Sequence, residues 1–166
     1  MKTSNAKLFN KIALVSTVAM AASWVTTYTQ AAAENSSLVM TAEVIANCTI
    51  NADPLSASGY DYVVANKTNN LDVTSTINVV CTNGTGATID LDTGANDHKL
   101  TDGTNFLTYE LYQDTARVVP WGSAGDALPI TGTGLAQPQT VYARINGGQN
   151  VPAGSYTDTV TATINF

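Results

Sequence analysis

An all-β sandwich is predicted by three features of the sequence. Apolar residues recur at two-residue spacing in several separate runs, the period of strands with one buried face. Gly, Asn, Asp and Pro punctuate the chain at intervals of roughly eight to twelve residues, the rhythm of short strands joined by turns. Beyond the N-terminal leader, no apolar helical period persists for more than a couple of turns. The sum is two packed sheets of about seven short strands.

The leader reads as a secretory signal peptide over residues 1–33. Lys2, Lys7 and Lys11 supply a basic start, Ile12 to Ala22 is mostly apolar, and Ala31-Ala32-Ala33 is a small-residue cleavage site. The apolar run, roughly 11 to 14 residues, is short of the ~20 that span a bilayer. No other run is long and apolar enough to cross a membrane. Residues 34–46 then form an N-terminal extension and residues 47–166 the domain.

The extension carries Leu38, Met40, Ala42 and Val44 at strict alternation, a strand pattern that ends a few residues before Cys48. On periodicity alone it is equally the first strand of a self-contained sandwich. Val73, Ser75, Ile77, Val79 and Cys81 share one face of the next strand, with Thr74, Thr76 and Asn78 opposite. Asn83 to Gly86 turns, and Ala87, Ile89 and Leu91 form a short strand. Residues 92–105 read as a polar loop. Phe106 to Gln113 is a strand with Leu107, Tyr109 and Leu111 on one face, and Pro120-Trp121-Gly122 leads into a Gly-rich loop reaching Gly134. Thr140 to Ile145 points Val141, Ala143 and Ile145 inward. The last run, 156–166, sets Tyr156, Asp158, Val160, Ala162, Ile164 and Phe166 on one face against a row of threonines. Bare alternating runs at both ends give the sandwich exposed edges, which invite pairing with another chain.

Removing 33 of 166 residues leaves 133, one domain's worth. The remainder holds four basic and 13 acidic side chains, a net charge of −9. That balance disfavours nucleic acid and anionic membranes as partners. Cys48 and Cys81 both fall in the exported part, so a single disulfide is expected in an oxidising compartment. A closed zinc site would need four ligands, and the chain has one His.

Catalytic and metal readings find little. His98 sits between Asp97 and Lys99 with no nucleophile or Gly-x-Ser-x-Gly elbow, and reads as a solvated loop residue. Asp90, Asp92, Asp97 and Asp102 lack calcium-loop spacing and read as turn-capping residues. Trp121 is either a sugar-stacking platform or a packing residue at the sandwich edge, and packing is the commoner use. No cofactor, metal or enzymatic activity is expected.

These residues together resemble the spore coat protein U family and, within it, the pilin subunits of archaic chaperone–usher pili such as the Csu type. The resemblance is carried by the alternating run before Cys48-Thr49-Ile50 and by Val79-Val80-Cys81. It extends through Tyr109-Glu110-Leu111-Tyr112-Gln113-Asp114 with Trp121-Gly122, and the closing run Ala153 to Phe166. It spans essentially the whole mature chain. It implies an incomplete immunoglobulin-like β-sandwich completed by donor-strand exchange. A periplasmic chaperone first lends a strand; at an outer-membrane usher, the extension of the next copy replaces it. By position, Leu38, Met40, Ala42 and Val44 match donor residues, although Ala42 is small for a central one. Val160, Ala162, Ile164 and Phe166 match the strand flanking the acceptor groove, and Cys48 and Cys81 match the family disulfide. The expected product is a surface fibre of a Gram-negative bacterium used in adhesion and biofilm formation. A major subunit is expected, because 133 residues leave no room for the extra binding domain of a tip subunit. The alternatives are a coat protein built on the same domain and a self-contained secreted sugar-binding module.

Overall fold

The computed structural model describes residues 32–122 and 124–166. The expected signal peptide lies outside them except for Ala32 and Ala33. Residues 32–41 belong to one unit and are without strand or helix, every one of them exposed; Ala42–Phe166 form the other.

The second unit contains eight strands and no α-helix among the described residues. They are β1 (Cys48–Ala52), β2 (Leu71–Cys81), β3 (Gly86–Leu91), β4 (Lys99–Thr101), β5 (Phe106–Tyr112), β6 (Leu128–Thr131), β7 (Gln137–Ile145) and β8 (Ala162–Asn165). A single 3-10 turn, Ala124–Asp126, precedes β6. One sheet has the order β1-β2-β7-β5-β4 and the other β6-β3-β8. All neighbours are antiparallel, and the core lies between the two inner faces. The sandwich expected from the alternation is present.

Alternation works because successive side chains of a strand point to opposite faces. Ile77, Val79 and Cys81 of β2 are buried, as are Ala87, Ile89 and Leu91 of β3, Leu107, Tyr109 and Leu111 of β5, and Val141, Ala143 and Ile145 of β7. Cys48 and Cys81 are directly opposed in the β1–β2 register and are disulfide-bonded, with Cα atoms 4.1 Å apart. Trp121, 2 % exposed, is part of the buried core, and its indole N–H donates to the Ile89 carbonyl at 2.9 Å. The buried indole N–H, the one polar group of the side chain, is thereby satisfied.

Four expectations change. The run Leu38 to Val44 is not paired as a strand; β1 begins at Cys48, a few residues after the expected strand pattern ends. Two strands appear inside segments read as loops: β4 in the polar 92–105 stretch and β6 in the Gly-rich stretch. Three and four residues are too short for a period to register. The strand expected over 156–166 is interrupted. Thr157 bridges Thr101 at the edge of the larger sheet, whereas Ala162–Asn165 pair with β3 of the smaller one. The chain crosses from one sheet to the other while its side-chain alternation continues, so a single sequence pattern serves two sheets.

Candidate functional site

The core is open along one side. β1 and β8 are the edge strands of their sheets and face each other there. Between them lies a cleft of about 390 Å³. Its floor is made by core residues, among them Ile77, Leu111, Val141 and Ala143. One rim is the end of β1 and the chain after it, Ala52 to Leu55, and the other is Val160 and Ala162. The first rim is fastened to β2: the Asp53 N–H donates to the Thr76 carbonyl at 2.9 Å, and the Ser75 hydroxyl donates to the Asp53 carbonyl at 2.8 Å. The opening shows in the burial pattern. The inward residues of β3 are buried, but those of its neighbour β8, Ala162 and Ile164, are only half-buried, like Val160 before them.

The second rim is also a free strand edge. The Asp92 N–H donates to the Thr161 carbonyl at 3.1 Å, the Thr161 N–H donates to Asp92 Oδ1 at 2.8 Å, and Thr163 and Asn165 oppose Asp90 and Thr88. In an antiparallel ladder, alternate residues direct their backbone groups to opposite edges. The N–H and C=O groups of Val160, Ala162 and Ile164 therefore point away from β3, where no strand pairs with them among the described residues. Their side chains point inward. Hydrogen-bonding edge and apolar floor run side by side, a combination that takes an extended peptide better than a compact ligand.

At the Tyr156 end the cleft becomes polar. Asp158 Oδ2 accepts the Tyr109 hydroxyl at 2.8 Å, and Asp158 Oδ1 accepts Asn96 Nδ2 at 3.1 Å and the Thr159 N–H at 2.9 Å. Burial, followed by the Asp158 carboxylate, pushes the Tyr109 phenol well above its ordinary range. The sequence reading missed this cluster, although an inward Tyr and an inward Asp on two predicted strands were its signal.

The remaining candidates fall as follows. Val160, Ala162 and Ile164 lie on the free edge; Phe166 follows the end of β8 and is 59 % exposed. Leu38, Met40, Ala42 and Val44 are all exposed, Leu38 and Met40 by more than 90 %. His98 is not a solvated loop residue: it is half-buried, with its ring edge-on to Tyr109 at 5.5 Å. Asp92 also caps Gly94 N at 2.9 Å, and Asp102 accepts from the N–H groups of Thr104 and Asn105 at 2.8 and 2.7 Å. Asp90 accepts from Asn165 Nδ2 at 2.8 Å, and Asp97 pairs with Lys99 at 3.8 Å. Among the described residues no three metal-ligating side chains converge. Trp121 is buried, which removes it as a sugar-stacking platform.

Residues 34–163 match the Spore Coat Protein U domain model. Protein U of Myxococcus xanthus is 35% identical over 156 residues, spanning 82% of this chain and 87% of that protein. A solved chain from the chaperone–tip adhesion subunit pre-assembly complex of the archaic chaperone-usher Csu pili of Acinetobacter baumannii is similar in fold. It has a TM-score of 0.54 and 23% identity over 74% of this chain, and the match spans 40% of the solved chain's length.

Proposed function

The chain belongs to the Spore Coat Protein U domain family, and from that premise we propose that it is a non-enzymatic structural subunit of an archaic chaperone–usher pilus. The observation that carries the reading is the cleft beside a free strand edge, in a chain whose exposed extension has the alternation of a strand. In this reading residues 34–46 of one copy lie in the cleft of another. Leu38, Met40, Ala42 and Val44 enter from the open side, while their backbone pairs with Val160, Ala162 and Ile164. Burial of each larger side chain contributes roughly 1.5–3 kcal/mol, with less from Ala42. The contact is head-to-tail, so it propagates a filament instead of closing a dimer. A major shaft subunit fits a chain holding both a donor extension and an acceptor cleft.

Before assembly, the same cleft would take a strand lent by a periplasmic chaperone, and the usher would mediate the exchange. The similarity to a chain from a chaperone-bound pilus complex supports the first partner. Export by the signal over residues 1–33 and display on the surface of a Gram-negative cell belong to the same reading. The family name favours one second reading: a coat layer assembled by the same strand addition without chaperone or usher.

The test is polymerisation of the mature chain carrying Met40→Asp and Val44→Asp. Loss of fibres by electron microscopy, with a folded monomer by size-exclusion chromatography and circular dichroism, is the expected result. Unchanged fibres would sink the proposal.

A further inference from the structure

We propose that Asp158, held by Tyr109 and Asn96, is a positioning residue that keeps the open strand edge extended and ready for an incoming strand. The inference rests on the reading of the cleft as a strand acceptor and assigns a further residue cluster to it. The need for such a device follows from the crossing. Between the Thr157 bridge and Ala162 the chain passes from one sheet to the other and has no continuous ladder. Its backbone is held by the Ala95 N–H to the Thr159 carbonyl at 3.2 Å and by Asp92 at Thr161. The Asp158 carboxylate supplies the remaining fixed point, two residues before Val160, the first residue of the free edge.

The surroundings are shaped to this carboxylate. Gly94 lies at φ +73°, and a Cβ there would collide with the Asp158 carboxylate and come within 3.0 Å of the Tyr109 hydroxyl. Only glycine combines that backbone conformation with that closeness. Asp97 and His98, in the same loop, also adopt left-handed φ values of 54° and 56°, a strained arrangement that the surrounding structure must maintain. The Tyr109 phenol keeps its proton, so its O–H is a constant donor. Asp158 itself makes no ion pair among the described residues; its half-buried charge is satisfied by neutral donors. A half-buried carboxylate without a cation is a poor source of stability, and its use here is to define position. Were the crossing free to fray, every residue of it would have to be ordered at the moment of strand addition.

The experiment uses the mature chain with its own arm disabled by Met40→Asp and Val44→Asp, and a fluorescent synthetic peptide of residues 34–46 as the probe. Affinity is measured by anisotropy, and amide exchange of residues 159–162 is followed without peptide. Tyr109→Phe and Asp158→Ala are expected to weaken binding about tenfold or more, the scale of a hydrogen bond to a charged group, and to speed exchange across the crossing. Asp158→Asn, which keeps an acceptor for Tyr109, is expected to recover most of the affinity. Equal affinity in all variants, with only the melting temperature shifted, would overturn the inference and leave a merely structural cluster. If the arm-disabled chain with Asp158 and Tyr109 intact fails to bind the peptide, the strand-acceptor reading itself fails, and this inference with it. Should Asp158→Ala not fold, Tyr109→Phe, which removes a single oxygen, decides.

Discussion

Asp102 illustrates how the acidic residues of this chain are used. Its carboxylate accepts two backbone N–H bonds and one from Asn105 Nδ2 at 3.0 Å in a tight turn. These bonds, led by the Asn105 N–H, hold its pKa at about 2, below the ordinary 3.8. A carboxyl depressed on folding stabilises fully above its unfolded value and loses that contribution as pH falls through its folded value. Urea midpoints of the parent chain and Asp102→Asn should therefore differ at pH 5 and converge as pH falls from 3.8 toward 2. A gap that stays constant across that range would contradict the assignment. The capping role was legible, because Asp in a loop without metal spacing has few other uses. The partners of His98, Trp121 and Tyr109 were not. Periodicity marks Tyr109 as inward, but only the fold brings residue 158 to its hydroxyl from 49 positions away. For Trp121 the sequence left two uses open, and burial decided between them.

At the level of elements, alternation located β2, β3, β5 and β7 because each is long enough to repeat its pattern and sits over a buried floor. It failed where a strand is defined by its neighbour and not by its own period, as in β4 and β6, and where one pattern crosses sheets, as before β8. β1 is the instructive short strand. Among the described residues it pairs only with β2, and Cys48 opposite Cys81 staples its first residue. Thr82 continues the fastening: its N–H donates to the Asn47 carbonyl at 2.9 Å, and its hydroxyl accepts the Asn47 N–H at 3.1 Å. The bond closes a separation of 33 residues, worth up to ~4 kcal/mol by loop-closure entropy. Reduction by dithiothreitol, or Cys48→Ser with Cys81→Ser, should lower unfolding free energy by about that much. Amides of residues 48–52 should then exchange first. Protection of β1 equal to that of β7 in the reduced chain would show that the staple is dispensable.

In the proposed assembly the exposed alternating arm of one copy and the cleft of another are the two unlike halves of one interface, and this asymmetry makes a prediction that no symmetric dimer shares. An arm-disabled chain, Met40→Asp with Val44→Asp, can accept a strand but cannot donate one. A cleft-disabled chain, Ala162→Asp, can donate but not accept. The half-buried Ala162 tolerates the charge while the cleft is empty, and desolvates it when a strand arrives. Each variant alone should remain monomeric. Mixed at equal concentration, they should form a one-to-one dimer and nothing longer, because the single functional arm meets the single functional cleft and both partners are then spent. Multi-angle light scattering separates the cases. A self-complementary two-fold contact would place one defect in each half of the same interface and weaken the mixed dimer. A self-contained sandwich would leave the mixture monomeric. Fibres from the mixture would place the polymerising contact somewhere other than the arm and the cleft.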